Sequence, residues 1–193
     1  MKLVALFLLI LSLPNAYVSA RQQVEFSETG EVVLRSHPAS EYQRIELQIG
    51  AEVPDFAFTD FDGKARKLSE FRGKYVLLDF WGSWCGPCVA DIPHLKEAYE
   101  KYRSRRFEII GMDEDKELEK VKKFVAEKGM TWPQATTESI GELAKKRFRV
   151  TAYPTLVLLD PNGKIVSLSR KDQMPLRGEK LLETLDKVLP MSF

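Results

Sequence analysis

The sequence of residues 77–88 is LLDFWGSWCGPC, and its apolar run, glycine and proline dictate the local structure. It begins as a short apolar run, which is typical of a buried strand, and residues 82–83 interrupt that run. Cys85 then lies where a helix has to begin, because Pro87 fits best in a first helical turn, where a missing N–H matters least. The stretch therefore predicts a strand, a short turn and a helix that starts at the cysteines.

The two cysteines of the chain, Cys85 and Cys88, both lie in this stretch. A thiol at a helix N-terminus faces unpaired N–H groups and the positive end of the helix dipole, which favour the thiolate. We therefore expect Cys85 to be the more nucleophilic thiol and Cys88, one turn further on, to close a disulfide with it. So small a loop restrains the unfolded chain little, which favours redox chemistry over a structural bridge. Inert buried thiols or half of a zinc site are the alternatives; zinc, however, needs four ligands and the chain adds only two distant histidines.

Residues 84–88, WCGPC, resemble the active site of thioredoxin. The flanking segments, LSEFRGK at 68–74 and VADIPHL at 89–95, are similar to those of the extracytoplasmic TlpA/ResA-like branch of that family. The resemblance covers residues 50–190 and implies a thiol–disulfide oxidoreductase with protein disulfides as substrates. It also implies a membrane-embedded thiol reductase as electron donor, with apocytochrome c as one candidate client.

The resemblance assigns roles to two carboxylates. Asp79 lies in the apolar strand at the place of a buried aspartate that accepts the proton of the second cysteine in thioredoxin. The alternative is a strand-edge aspartate in water. Asp91 lies one helical turn after Cys88, where an acidic residue tunes the thiols in the ResA-like pattern. The alternative is a solvated carboxylate that only favours the helix dipole.

The resemblance also identifies candidate substrate-binding residues. Pro154 precedes a predicted strand at the place where thioredoxin-like folds carry a cis proline beside the dithiol, and Tyr153 is a candidate for substrate selection. Trp84 is expected to form part of an apolar docking surface, together with Gly86 and Pro87.

Periodicity and turn residues predict the remaining elements. Strands are expected at residues 56–59, 64–67, 75–81, 107–111, 155–159 and 164–168, and helices at 87–103, 117–128, 140–148 and 178–189. Ser69 is a candidate cap for a short helical turn. Alternating helices and strands predict an α/β fold of three layers around a mixed sheet. In the resemblance this is a thioredoxin-like fold, and the helix at 117–128 is an insertion typical of the TlpA/ResA-like branch.

The N-terminal part of the chain differs from the rest. Residues 1–20 have the basic start, the apolar run and the small-residue end of a secretory signal peptide cleaved after Ala20; an uncleaved membrane anchor is the alternative. Residues 21–49 contain two candidate strands, at 31–34 and 45–49, which predict a hairpin extension of unknown role. Residues 50–193 are expected to form the thioredoxin-like domain.

Composition and the absence of certain motifs exclude several classes of function. The chain has 193 residues with 29 basic and 28 acidic side chains, so nothing indicates a nucleic-acid partner, and a monomer is expected. Neither a glycine-rich phosphate loop nor a set of metal ligands is visible, so no cofactor and no metal are expected. An exported reductant needs supplied electrons, because it works in an oxidising compartment. The sequence thus predicts an extracytoplasmic protein-disulfide reductase.

Three alternatives remain open. A peroxidase of the peroxiredoxin group would carry a threonine three residues before its reactive cysteine, where Gly82 stands in this chain. A Sco-like metal-delivery module usually has three residues between its cysteines, whereas this chain has two. A non-catalytic binding domain would have no use for an intact dithiol.

Overall fold

The computed structural model describes residues 22–26, 32–36, 45, 47–169 and 175–189, so the predicted signal peptide lies outside the described residues. The chain divides into two units, residues 1–42 and 43–193. In the first unit, β1 (Gln22–Phe26) pairs antiparallel with β2 (Val32–Ser36). A hairpin is therefore present, but it is not the predicted one: β2 corresponds to the candidate strand at 31–34, its partner β1 was not predicted, and the candidate strand at 45–49 takes no part in the pairing. Residues 48–50 form a turn instead of a strand, and Ile45 is buried in the core of the second unit.

The second unit is built on a five-stranded mixed sheet with the order β7-β6-β5-β8-β9. Its strands are β5 (Tyr75–Trp81), β6 (Phe107–Asp113), β7 (Gln134–Ala135), β8 (Thr155–Leu159) and β9 (Ile165–Ser169). Strand β5 lies at the centre, parallel to β6 and antiparallel to β8. The mixed central sheet is therefore confirmed. The two-residue strand β7 was not predicted, because so short an element has no periodicity to detect.

Helices cover both faces of this sheet. They are α1 (Gly86–Tyr102), α2 (Leu118–Lys128), α3 (Thr137–Glu142) and α4 (Glu179–Val188). Apolar residues of α1, α2 and α4 share one core with Leu77 and Trp81 of β5. On the other face, α3 packs with Val76, Leu78 and Phe80, since successive strand residues point to opposite faces. The three-layer arrangement predicted from the sequence is confirmed.

A short hairpin of β3 (Ala57–Thr59) and β4 (Ala65–Lys67) precedes the sheet, as predicted. The turn after it is a 3₁₀ helix, Leu68–Phe71, whose N-cap is Lys67 and not Ser69. The helix predicted at residues 140–148 begins earlier, at α3, and continues as a π-helical segment over Leu143–Phe148. These differences lie at element ends, where local sequence signals compete.

The arrangement of β5 and α1 places the cysteines at an edge of the sheet. Helix α1 begins five residues after β5 ends, with Cys85 as its N-cap and Pro87 within its first turn. Its buried residues recur every three or four positions: Cys88, Asp91, Ile92, Leu95, Ala98 and Tyr102. The start of α1 therefore lies at the carboxyl end of the central strand, where α/β sheets bind ligands.

Candidate active site

The two cysteines form a disulfide at the start of α1. Their Cα atoms lie 5.2 Å apart, and only 6% of Cys85 and 3% of Cys88 is exposed. The backbone N–H of Cys88 donates to Sγ of Cys85 at 3.3 Å, so this sulfur accepts one of the N–H groups that the first helical turn leaves without a backbone partner. The same N–H is available to a thiolate at Cys85 after reduction, which favours ionisation of that sulfur.

Asp79 lies in the middle of β5, opposite Gly111 of β6 and Leu156 of β8. Its side chain shares the α1 face of the sheet with Leu77 and Trp81, because residues two apart in a strand point the same way. Asp79 is only 3% exposed, so the alternative of a solvated strand-edge aspartate is wrong. Burial raises the pKa of Asp79 to about 7; the Asp91 carboxylate contributes to the rise and Arg177 opposes it.

Asp91 is buried on α1 and forms an ion pair with Arg177, whose Nε donates to Oδ2 of the carboxylate. The guanidinium also donates from Nη2 to the carbonyl oxygen of Pro87, at 3.2 Å. The alternative of a solvated carboxylate at Asp91 is therefore wrong. Asp91 is a buried, charged group between the start of α1 and the segment before α4, and its charge is balanced by the guanidinium of Arg177.

An exposed aromatic group lies beside the dithiol. Trp84 is 59% exposed, and its ring meets that of Tyr153 edge to face with centroids 5.3 Å apart. The peptide bond between Tyr153 and Pro154 is cis, as expected. Gly86 and Pro87 are exposed on the other side of Cys85. The structure therefore brings Trp84 and Tyr153 into direct contact at the start of α1.

Tyr153 is also influenced by a carboxylate that follows β6. Burial raises the pKa of Tyr153 to about 12, and the Glu114 carboxylate contributes to the rise. The tyrosine hydroxyl is consequently neutral throughout the physiological range. Glu114 in turn follows β6 directly, and its backbone N–H donates to the carbonyl of Trp81 at 3.0 Å.

The turn before Cys85 is fixed by the loop after β6. Asp115 accepts the backbone N–H of Ser83 at 2.6 Å and the Ser83 hydroxyl at 2.7 Å. The backbone N–H of Asp115 donates to Asp113, which burial and the neighbouring Asp115 leave with a pKa raised to about 8. Thr137 donates to the Asp115 carbonyl oxygen. Sequence reasoning missed this arrangement, because Asp115 lies in an acidic stretch that resembles an ordinary solvated loop.

Gly82 is required by the indole of Trp84. A Cβ at this position would lie 2.5 Å from Nε1 of Trp84 and 2.6 Å from Cε2, far inside van der Waals contact. A threonine at position 82, the residue expected for the peroxidase alternative, would therefore displace the indole from its position.

The AhpC/TSA family profile matches residues 49–168 of the chain. The chain belongs to the AhpC/TSA family. A thiol-disulfide oxidoreductase ResA of Bacillus thuringiensis subsp. konkukian is 38% identical over 145 residues, which are 75% of this chain and 81% of the relative. The ResA of Bacillus subtilis is 31% identical over 119 residues, covering 62% of this chain and 65% of the relative.

Solved structures agree with this assignment. The thioredoxin domain of a thiol-disulfide oxidoreductase from Bacteroides vulgatus matches with a TM-score of 0.66 and 29% identity, over 75% of this chain and 100% of that domain. A thiol:disulfide interchange protein from Bacteroides sp. matches with a TM-score of 0.65 and 30% identity, over 74% of this chain and 91% of that one. This member of the AhpC/TSA family therefore has the thioredoxin-like fold and is a thiol-disulfide oxidoreductase.

The described residues lack two further features. They contain no group of three or more His, Cys, Asp or Glu side chains arranged to hold a metal ion. Within the same part of the chain, no helix is both long and apolar enough to cross a membrane.

Arg177 is the site residue that was hardest to foresee from the sequence. It lies 86 residues after its partner Asp91, in a turn with no recognisable motif. One indirect signal was present: a carboxylate on the apolar face of a helix needs a cation or hydrogen-bond donor to be buried.

Proposed function

We propose that this AhpC/TSA-family enzyme reduces disulfide bonds of exported proteins through Cys85 and Cys88. The observation that carries the proposal is the position of Cys85 as N-cap of α1, with its sulfur accepting the N–H of Cys88. That placement favours a nucleophilic thiolate at Cys85, the slightly more exposed of the two cysteines. The names of the ResA relatives and of the structural neighbours support the same chemistry.

The first step is attack by the Cys85 thiolate on one sulfur of a substrate disulfide. A bond forms between Cys85 Sγ and that sulfur, the substrate S–S bond breaks, and the departing substrate thiolate takes a proton from solvent. The enzyme and the substrate are then joined by a mixed disulfide.

In the second step Cys88 resolves the mixed disulfide. The Cys88 thiol gives its proton to Asp79, and the new thiolate attacks Cys85 Sγ and releases the second substrate sulfur as a thiolate. The enzyme is left with the Cys85–Cys88 disulfide, which is the state of this structure. A proton acceptor with a pKa of about 7 suits this role, because it is partly ionised at neutral pH and still basic enough to accept a proton.

The substrate chain is proposed to dock on the aromatic surface beside Cys85. Trp84 supplies exposed apolar area, and Tyr153 supports it from the neighbouring turn. Gly86 and Pro87 leave the approach to Cys85 open, because both are exposed and Gly86 has no side chain. The backbone around Pro154 completes the surface by pairing with the extended substrate.

The cellular setting is part of the proposal. We infer an extracytoplasmic location with a cleaved signal peptide at residues 1–20, a monomer in solution, and a membrane thiol reductase that returns two electrons to the Cys85–Cys88 disulfide. Each turnover consumes two electrons and two protons, which a second dithiol can supply by the same exchange chemistry. Apocytochrome c is one candidate client.

The proposal is tested by comparing three activities of the purified protein. We expect it to reduce the disulfides of insulin with dithiothreitol as electron source, faster than dithiothreitol alone. Peroxide consumption and tight copper binding should both be absent. Peroxide turnover without insulin reduction would favour the peroxidase alternative, and stoichiometric copper binding that blocks both cysteines would favour a metal-delivery module.

A further inference from the structure

Arg177 links the start of α1 to the segment that precedes α4. Its Nε donates to Oδ2 of Asp91 and its Nη2 donates to the carbonyl oxygen of Pro87 at 3.2 Å. These anchors lie 86 and 90 residues away in sequence, and the Arg177 side chain is only 19% exposed. One guanidinium therefore holds two points of the first two turns of the catalytic helix.

The helix dipole does not explain this placement. The N-terminal turns of a helix carry partial positive charge, so they favour anions and disfavour cations. A guanidinium beside Pro87 is in an unfavourable field unless a carboxylate compensates it, and Asp91 supplies that charge from within the same helix. Stabilisation of α1 therefore does not explain the position of the Asp91–Arg177 ion pair. An electrostatic effect of the two charges on a neighbouring group explains it better.

Asp79, whose side chain lies on the α1 face of the sheet, responds to both charges. On the α1 side of β5, Asp91 from the helix raises the pKa of Asp79 and Arg177 lowers it, in addition to the effect of burial. The residues opposite Asp79 in the neighbouring strands, Gly111 and Leu156, carry no charge. In the reduced enzyme the Cys88 thiol is a further titratable group on α1. Within the described part of the chain, the Asp91–Arg177 pair thus provides the charges that act on Asp79.

We propose that Arg177 is a positioning residue for the resolving step: it fixes the Asp91 carboxylate against the first turns of α1 and so controls how readily Asp79 accepts the proton of Cys88. This inference rests on the proposed role of Asp79 as proton acceptor. The step itself is the one given above, in which a proton moves from Cys88 Sγ to the Asp79 carboxylate while Cys88 attacks Cys85 Sγ.

The direct test is the titration of Asp79 in the oxidised full chain, followed by the carboxyl-carbon NMR signal that an Asp79→Asn variant identifies. In Arg177→Met the uncompensated Asp91 carboxylate should raise the pKa of Asp79 by about one unit, the size expected for loss of a nearby opposite charge. Arg177→Lys keeps the charge and should shift the titration far less. Arg177→Met combined with Asp91→Asn removes both charges and should return the titration close to that of the wild type.

The kinetic counterpart is a pH profile of mixed-disulfide resolution. A one-unit rise from a pKa of about 7 lowers the ionised fraction of Asp79 at pH 7 from about one half to about one tenth, so Arg177→Met should release substrate about fivefold more slowly there. At pH 9 the rate should return to that of the wild type. Lost packing alone would slow the reaction equally at both pH values.

Lys101→Met is the matched control. Lys101 also joins α1 to the C-terminal segment, through an ion pair with Asp186 at 3.1 Å, but both side chains are nearly half exposed and neither acts on Asp79. This variant should leave the titration of Asp79 and the pH profile unchanged.

An unchanged Asp79 titration in Arg177→Met would overturn the inference, as would an equal shift in Lys101→Met. If Arg177→Met does not fold, Asp91→Asn alone decides: it should lower the pKa of Asp79, and a rise or no change contradicts the electrostatic role. These outcomes are separate from the proposed function. If the Asp79 titration shifts as expected in the variants but the wild-type enzyme fails to reduce insulin, the electrostatic effect of Arg177 and Asp91 on Asp79 stands and the proposed reductase function is wrong.

Discussion

Asp115 accepts two hydrogen bonds from Ser83, one from the backbone N–H at 2.6 Å and one from the hydroxyl at 2.7 Å. The two residues are 32 positions apart, and Ser83 lies two residues before Cys85. A single carboxylate after β6 therefore fixes the turn that presents Trp84 and Cys85. Because hydrogen bonds to a charged acceptor are stronger than neutral ones, this contact is a main determinant of the turn's conformation.

Loss of this carboxylate should loosen the turn before Cys85. We expect Asp115→Ala to lower the free energy of unfolding by about 1.5–3 kcal/mol, the range for hydrogen bonds to a charged group, and to increase hydrogen exchange at the Ser83 amide. Glu117→Gln is the control, because Glu117 forms an exposed ion pair with Lys120 in the same part of the chain. Its loss should change the free energy of unfolding by less than about 0.5 kcal/mol. Equal effects of the two substitutions on the free energy of unfolding would show that the hydrogen bonds to Ser83 contribute no more to stability than an exposed ion pair does.

The two cysteines should differ in what their substitution does. In Cys88→Ser the mixed disulfide cannot be resolved, so we expect a covalent complex between Cys85 and an insulin chain, visible on a non-reducing gel and cleaved by dithiothreitol. Cys85→Ser should form no such complex and show no turnover, because the nucleophile of the first step is gone. Free turnover by Cys88→Ser, or a complex formed through Cys88 in Cys85→Ser, would contradict the assigned roles.

Buried Asp79 should make the protein less stable as pH rises. Its pKa is about 7 when folded and near 3.9 in an unfolded chain, so between these values the unfolded state binds fewer protons and unfolding becomes easier with increasing pH. Three units correspond to a loss on the order of 4 kcal/mol between pH 4 and pH 8. Asp113, with a pKa of about 8, acts in the same direction.

Denaturant unfolding of Asp79→Asn checks this prediction. The variant should lose part of the pH dependence between 4 and 7 and exceed the wild type in stability at pH 8, while it resolves mixed disulfides more slowly. Asp62→Asn removes an exposed aspartate of the β3–β4 turn and should leave the slope of stability against pH unaltered. Because other carboxyl groups also titrate, the difference between the two proteins decides: the same pH dependence in Asp79→Asn and in the wild type would contradict a raised pKa of Asp79.

Gly82 should control substrate affinity through the position of Trp84. A methyl group in Gly82→Ala would lie 2.5 Å from Nε1 of the indole, so the ring has to move and its contact with Tyr153 is disturbed. We expect the KM for a peptide disulfide to rise about tenfold with little change in kcat, since an aromatic contact of this kind contributes about 1 kcal/mol or more. Trp84→Ala should give a similar increase.

Gly141→Ala is the control for this effect, because a Cβ at that position in α3 has no neighbour within 4 Å. It should leave both KM and the tryptophan fluorescence unchanged, whereas Gly82→Ala should shift the fluorescence of the exposed Trp84. A normal KM in both Gly82→Ala and Trp84→Ala would remove the indole from the docking surface.

Much of the fold followed from local sequence patterns. The strand at residues 75–81 was predicted with its observed limits, and α1 and α2 begin and end within one residue of their predicted positions. The signals were an apolar run, a proline in a first helical turn and a glycine at a helix end. Each depends only on residues that are close in sequence, so it can be recognised before the tertiary structure is known. The strand expected at 45–49 was wrong because alternation alone does not reveal whether a partner strand is available.

The sequence by itself determined the chemistry of this protein: two thiols at the start of a helix, a carboxylate in the strand before them, and an exposed tryptophan beside them. Only the tertiary structure decided how these groups are tuned. Arg177 meets Asp91 across 86 residues, and Asp115 meets Ser83 across 32. The physical reason is that electrostatic and hydrogen-bond effects depend on distance in space and on burial, and both are set only when the chain has packed around its sheet.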